Sequence, residues 1–323
     1  MIETITLSNF EQATPVSQDC MVLTMPEGPE VGVMTVYTVF PGITVMYNDF
    51  HTDQSATGFA YSTKTISIDH CREGRVEWQR ADGRLCYLGE TDWQLSANEM
   101  HEASYGFPTG HYHGITITFS MEEARESLKQ LEGILTVDLD RIYESFSRWP
   151  DGLILRGDEG IEHVFSELYV VQGEIRMSYL RLKVLEILLY LSRMDPDVYQ
   201  DKHVYFQRTL VEKIYCIKRD LCAQPACHPT LRELAEKYEI SETAMKKCFK
   251  AVYGDSIYAF LKKHRLLSSC ALLLESDKSI TEVSMDMGYE NPSKYIAAFK
   301  KQFGITPAKF RKNRQKNPVE AEK

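Results

Sequence analysis

Between residues 32 and 119 apolar and polar positions alternate in short runs: "VMTVYTVF", "ITVMYNDF", "TISIDHC", "RVEWQR", "RLCYL" and "HGITITF". Alternation with period two is the pattern of half-buried strands, and the runs are rich in Val, Ile, Thr and Tyr. Between Arg80 and Arg84, Ala81-Asp82-Gly83 supplies hairpin-turn chemistry, with Gly83 suited to a positive φ. Short strands with turn signals every 8–12 residues or so predict an antiparallel β-sandwich or barrel.

After Ser120 the period lengthens to that of a helix. Four stretches follow: "MEEARESLKQLEG", "DLDRIYESFSRW", "GIEHVFSELYVVQGE" and "SYLRLKVLEILLYLSRM". In the last, Leu180, Val184, Ile187, Leu188 and Leu191 recur at intervals of three and four and form one apolar stripe. Such a stripe packs on its own sandwich or on a second subunit, and the pattern alone leaves both uses open. "DPDVYQDKH" interrupts the pattern, "VYFQRTLVEKIYCIKRDLCA" resumes it, and "QPACHP" links to the final domain through two prolines that resist helix continuation.

That final part repeats itself. "TLRELAEKYEIS" lies over "SITEVSMDMGYE", and after one inserted residue "FKAVYG" lies over "FKKQFG". Thr230 with Glu233, and Ser279 with Glu282, have capping-box spacing, so each begins a short helix. Turns are expected at Tyr238–Ser241 and Gly288–Asn291. Second helices then start at Ser241, and at Asn291 with Pro292 in the first helical position, and end at Gly254 and Gly304. Helix, tight turn and helix, twice over, spell two helix-turn-helix units. Met245, Cys248, Phe249 and Val252 fall on one face of the first unit's second helix, with Thr243, Lys246, Lys247 and Lys250 on the other. The second unit places Tyr295, Phe299 and Phe303 inward and Ser293, Ala297, Lys300 and Lys301 outward. Ile257 to Glu275 is a spacer helix of roughly 28 Å, with Phe260, Leu261, His264, Ala271 and Leu274 expected on or near one face.

Composition changes this picture in one respect. The 323 residues are 43% apolar and 26% charged, ordinary for a globular chain of about two domains. The net charge of −9 argues against a nucleic-acid partner, but it is unevenly spread. Residues 224–316 hold 17 Lys and Arg against 10 Asp and Glu, a surplus of +7, and the remainder holds 20 against 36, or −16. The repeated part is thus a basic module joined to an acidic one. A helix in a major groove brings its first residues to base edges while nearby cations hold phosphates, and two such helices suit successive grooves about 34 Å apart.

On "LRELAEKYEIS", "FKAVYG", "RLLSSCALLL" and "SITEVSMDMGYENPSKYIAAFKKQFGITPAKFR", residues 224–316 resemble the DNA-binding domain of the AraC/XylS family of transcription regulators. The resemblance implies base-facing positions at Thr243, Lys246 and Lys247 and at Ser293, Lys294 and Ala297. Ala297 is shorter than the polar side chain common there, so readout by the second unit is expected to be thin. Phosphate contacts are expected from Ser241, Lys250, Asn291, Lys300 and Lys301. Ser269 and Ser284 replace small apolar residues at two packing positions. The resemblance further implies promoter DNA and RNA polymerase as partners, and a cupin-like N-terminal sandwich that binds a small-molecule effector, with helices that make a homodimer.

The expected fold is therefore α+β in two domains, an N-terminal antiparallel β-sandwich with helices and a C-terminal all-α domain. Expected boundaries are 1–155 for the β-rich domain and 156–222 for a helical connector. The DNA-binding domain takes 223–323, with units at 230–254 and 279–304 and the linker helix at 256–275. His70, Arg72, Trp78 and Tyr87 are candidates to line an effector pocket. His111 and His113 form an H-x-H, with His51, His70 and His101 in the same domain, and Cys216, Cys222, Cys227 and His228 form a thiol-rich stretch. Neither has the spacing of a metal site, and no cofactor or metal is expected. No nucleophile elbow or phosphate-binding glycine loop occurs, so no enzyme is expected, the alternative being a metal-dependent cupin-type enzyme domain fused to a DNA-binding module. The N-terminus has neither a basic leader nor an apolar core, and no run reaches the roughly 18 apolar residues of a membrane span, so a cytoplasmic protein that does not enter membranes is expected.

Overall fold

The structure is a computed structural model describing residues 5–316, apart from 7–11, 26–27, 29–30, 53–55, 62, 81, 99–100, 150–151, 157–158, 172 and 199–204. It divides into two compact units, Met1–Gln207 and Arg208–Lys323. No helix among the described residues is long and apolar enough to cross a membrane.

The first unit holds β1 (Ile5–Thr6), β2 (Gln12–Ser17), β3 (Cys20–Thr24), β4 (Gly32–Phe40), β5 (Ile43–Phe50), β6 (Ala56–Tyr61) and β7 (Thr65–Gln79). Then follow β8 (Leu85–Gly89), β9 (Asp92–Asn98), β10 (His101–Gly106), β11 (Tyr112–Ser120) and β12 (Leu153–Arg156). Pairing is antiparallel throughout. One sheet runs β2-β3-β4-β5-β11-β7-β9-β12 and the other β1-β6-β10-β7-β8, so β7 belongs to both. "TISIDHC" and "RVEWQR", expected as separate strands, are its two halves. Between them the register against β11 slips at His113/Gly114, and Gly74 takes φ +80. A Cβ at Gly74 would lie 2.1 Å from the His111 carbonyl oxygen, so the bend requires glycine.

Four helices, α1 (Met121–Lys129), α2 (Leu139–Ser147), α3 (Glu159–Val170) and α4 (Arg176–Arg193), cover one sheet face. Register fixes which side chains meet them. Ile117 stands opposite Val45 and Ile68, and all three share a core with Phe165 of α3 and Leu180, Val184, Ile187, Leu188 and Leu191 of α4. The apolar stripe that had two open uses is therefore packed on its own sandwich. Opposite parity puts Met46, Cys71 and Tyr112 in the sandwich interior with Trp78, Cys86, Leu88 and Phe107. β12 was not expected; it interrupts the helical region and pairs with β9.

The second unit comprises α5 (Arg208–Ala223), α6 (Leu231–Lys237), α7 (Glu242–Tyr253), α8 (Ile257–Glu275), α9 (Ile280–Asp286), α10 (Pro292–Phe303) and α11 (Pro307–Lys316). The stretch 156–222, expected as one connector, is divided: α3 and α4 lie in the first unit and α5 in the second. On α8 the buried positions are Ile257, Leu261, Arg265, Leu266, Ser269 and Leu273. Ala271, expected near that face, is exposed, because a step of two from both Ser269 and Leu273 turns it about 200° away.

Candidate nucleic-acid interface

Each expected cap is made. Thr230 Oγ1 accepts from the Glu233 amide while the Glu233 carboxylate accepts from the Thr230 amide, and Ser279 and Glu282 repeat the box. Ser241 caps α7 and Asn291 caps α10, with Pro292 in its first turn. Gly254 (φ 82) and Gly304 (φ 75) close the two helices in the left-handed region. Together these caps fix the start and stop of both second helices to single residues.

Core packing then sets their rotation. Met245, Cys248, Phe249 and Val252 are buried on α7, and Tyr295 and Phe299 on α10. Thr243, Lys246, Lys247 and Lys250 are left exposed on α7, and Ser293, Lys294, Ala297, Lys300 and Lys301 on α10. Lys246 Nζ donates to Glu242 one turn back at 2.9 Å, an exposed pair that a phosphate or base edge can displace at small cost. Ser241 and Asn291 already accept from the Ala244 and Ser293 amides, which leaves the Ser241 hydroxyl proton and the Asn291 amide group to donate. Both packing serines are satisfied. Ser269 accepts from the Tyr295 hydroxyl at 2.9 Å and donates to Leu266 O at 2.7 Å, and Ser284 donates to Thr281 O at 2.7 Å.

One contributor had no sequence signal. Arg265 is 6% exposed, and its guanidinium donates to Pro225 O at 2.6 Å and Cys227 O at 2.8 Å. It also reaches His228 Nδ1 at 3.3 Å, while His228 Nε2 bonds Gly288 O at 2.7 Å. Gly288 O can only accept, so Nε2 carries the proton and Nδ1 takes the bond from Arg265. The "QPACHP" stretch is thereby pinned between the spacer helix and the turn of the second unit. That turn needs glycine: Gly288 takes φ +75, and a Cβ there would sit 2.9 Å from His228 Nε2 and 3.0 Å from Ala226 backbone. The matching position of the first unit, Glu239, adopts φ 50 with a side chain, and Lys213 donates to its carbonyl at 3.2 Å.

The four residues named for an effector pocket do not converge. His70 lies under α3, stacked on Phe165 at 4.3 Å and bonded to Tyr169 at 3.0 Å and Glu162 at 3.2 Å, while exposed Arg72 sits over the Tyr169 ring. Burial holds the His70 imidazolium below its ordinary range, with Glu162 opposing. Beyond the bend of β7, Trp78 enters the interior core, and Tyr87, opposite Glu77 in register, faces the other way toward Phe206. His70 and Trp78 would share a face in a straight strand, but the bend at Gly74 resets the alternation between them, which period-two reading cannot follow.

The interior carries a polar belt instead. Thr116 donates to Asp69 at 2.7 Å and accepts from Asn48 Nδ2 at 3.0 Å, and Ser67 donates to Asp69 at 3.3 Å. Ser96 faces Ser67 across the β7–β9 ladder. Asn48 is 7% exposed, and its Oδ1 has no partner among the described residues. Burial pushes the Asp69 carboxyl up to about 6, with the bonds from Thr116 and Ser67 opposing. The folded state therefore binds the extra proton between about pH 4 and pH 6, so this group's share of stability falls as pH rises through that window and stays low above it. Asp69→Asn should be more stable than wild type at pH 8 by about 1–3 kcal/mol, the gain vanishing near pH 4. Denaturant titrations at the two pH values check this, and equal differences at both would contradict it.

Of the candidate metal-ligating residues, His111 and His113 have ring centroids 6.3 Å apart, and His51 lies 5.1 Å from His113. His70 is apart from them under α3, and the His101 side chain lies outside the described residues. The eight cysteines are all thiols, and Cys227 donates to Gln224 rather than meeting Cys222.

Residues 234–313 match the family described as "Helix-turn-helix domain". The HTH-type transcriptional regulator ExsA of Pseudomonas aeruginosa is 31% identical over 84 residues, 26% of this chain and 30% of ExsA. The probable transcription factor PqrA of Proteus vulgaris is 34% identical over 80 residues, 25% of this chain and 66% of PqrA. The chain thus spans under two thirds of these relatives' length. Among solved structures, the DNA-binding domain of AdpA in complex with a target DNA covers 33% of this chain and 96% of its own at 23% identity, with a TM-score of 0.32. Unsaturated fatty acid bound ToxT of Vibrio cholerae covers 83% and 94% at 14% identity, with a TM-score of 0.35. With two capped helix-turn-helix units joined by a spacer helix, residues 234–313 form a helix-turn-helix domain similar to those of AraC/XylS-type transcription regulators.

Proposed function

We propose that the chain binds double-stranded promoter DNA in a sequence-specific way through α7 and α10, under the control of a small molecule received by the N-terminal unit. The observation that carries this is the pair of equivalent helices, each fixed at both ends by caps and each exposing a polar, lysine-bearing side. Thr243, Lys246 and Lys247 are assigned to base edges in the first unit, and Ser293, Lys294 and Ala297 in the second. Ser241, Lys250, Asn291, Lys300 and Lys301 are assigned to phosphates. Gel shifts with the DNA upstream of its own and adjacent genes should give specific complexes at moderate salt, and their absence under every effector condition would overturn the proposal.

Base and phosphate roles separate in the variants. Lys246→Ala should cost about 1–3 kcal/mol and relax preference at one base pair. Lys300→Ala should weaken binding evenly across sequences and reduce the salt slope by about one. Binding measured on a set of single-base operator variants at several salt concentrations decides the roles, and the opposite pattern would reverse them.

For the effector, the belt of Asn48, Ser67, Asp69, Ser96 and Thr116 replaces the four residues first considered. It is a cluster of acceptors inside an otherwise apolar interior, suited to a ligand that donates hydrogen bonds. Pairing of two chains is supported by a second apolar row on α4 and its N-cap, with Ile175 at 64% exposed, Leu182 at 64% and Leu189 at 46%, spaced by sevens.

A further inference from the structure

We propose that the N-terminal unit carries a surface site for one divalent transition-metal ion, held by Asp49, His51 and His113. Asp49 on β5 and His113 on β11 are directly opposite in the antiparallel ladder, and His51 follows Asp49 by two residues on the same side. The two Nε2 atoms lie 2.8 and 3.0 Å from the same Asp49 Oδ1, and all three ligand atoms lie within 4.8 Å of one another. Around a tetrahedral ion with bonds of about 2.0–2.1 Å, neighbouring ligand atoms sit about 3.3 Å apart, so shifts of the order of an ångström at exposed side chains complete the triad.

The backbone beneath is rigid where it matters. β11 is paired on both edges, by β5 and β7, so the Asp49–His113 spacing is set by hydrogen-bonded ladders rather than by a loop. His111, two residues before His113, stands outside this group: its ring centroid lies 6.3 Å from that of His113, and its Nδ1 donates to Thr109 O at 3.3 Å. Asp49 occupies both histidine Nε2–H groups without the ion; on binding, each neutral ring carries its proton on Nδ1 and gives the Nε2 lone pair to the metal. Two imidazoles with one carboxylate favour Zn²⁺, Ni²⁺, Co²⁺ or Cu²⁺ over the oxygen-seeking Mg²⁺ and Ca²⁺.

The inner face of the same two strands carries Asn48 and Thr116. An ion bound at the triad would clip β5 to β11 beside that belt. The site does not rest on the DNA-binding proposal, and its test reads metal alone.

Full-length protein without an affinity tag, stripped with a chelator, should take up one Zn²⁺ per chain in equilibrium dialysis. His113→Ala and His51→Ala should each weaken uptake at least about tenfold. Asp49→Asn should do the same with almost no change of shape, and circular dichroism of all three variants should match wild type. Cys222→Ser with Cys227→Ser should leave uptake unchanged, and the Co²⁺ form should show visible d–d bands without the near-ultraviolet thiolate charge-transfer band. Uptake that survives loss of both histidines, or a thiolate band, would place the metal on the cysteines and overturn the site. No uptake at micromolar Zn²⁺ would reduce the triad to an ion-paired surface cluster.

Discussion

Raising salt from about 50 to about 200 mM should loosen specific DNA binding by roughly 40-fold. Three exposed lysines on the two second helices are assigned to phosphates: Lys250 on α7, and Lys300 and Lys301 on α10. If all three displace counterions, each contributes about −0.9 to the slope of log affinity against log salt, for a slope near −3. A fourfold rise in salt then costs about one and a half decades. The acidic remainder of the chain does not cancel this, because the displaced ions are those condensed along the DNA under each lysine. Affinities measured by fluorescence anisotropy on one operator across that range give the slope directly. A drop of less than about tenfold would mean that fewer than two lysines reach phosphate, and that the lysine-bearing sides of α7 and α10 do not both face the duplex.

Phe299→Ala should lower the stability of the C-terminal unit by about 3–5 kcal/mol. Phe299 is fully buried, its ring centroid 4.5 Å from Phe303, 5.5 Å from Phe310 and 5.8 Å from Tyr295. Its removal opens a void where α8, α10 and α11 meet, bordered by rings too rigid to fill it. Against a typical total of about 5–15 kcal/mol, such a loss leaves α10 poorly held even where the chain stays folded. Denaturant unfolding measures the stability, and gel shifts should show the sequence-specific complex lost along with it. A cost below about 1 kcal/mol would mean that α11 and α8 close over the gap.

Much of the second unit was legible because its signals are local. The capping boxes at Thr230/Glu233 and Ser279/Glu282, Pro292 in the first turn, and Gly254 and Gly304 at the ends each act within four residues, where sequence spacing is spatial spacing. The N-terminal strands were legible as strands, but their partners were not. β7 reads as two strands because its bend at Gly74 resets the alternation, and β12 is too short to show a period. His70 looked like a pocket residue because nothing in "TISIDHC" announces α3 above it. Asp49, His51 and His113 are some sixty residues apart at the extremes and meet only through ladder register. Nothing in the spacer-helix sequence announces the burial of Arg265, which depends on where "QPACHP" runs.

That last contact decides where this domain can be cut. The family match begins at 234 and the first capped helix at Leu231, so a fragment trimmed to either point would look complete by helix count. It would also strip the Pro225 and Cys227 carbonyls and the His228 ring from the Arg265 guanidinium, leaving a nearly enclosed cation with its principal acceptors gone. The natural unit of inheritance and engineering is therefore longer than the two-helix repeats suggest. Its upstream edge lies before Pro225, ahead of the residues that the family match covers.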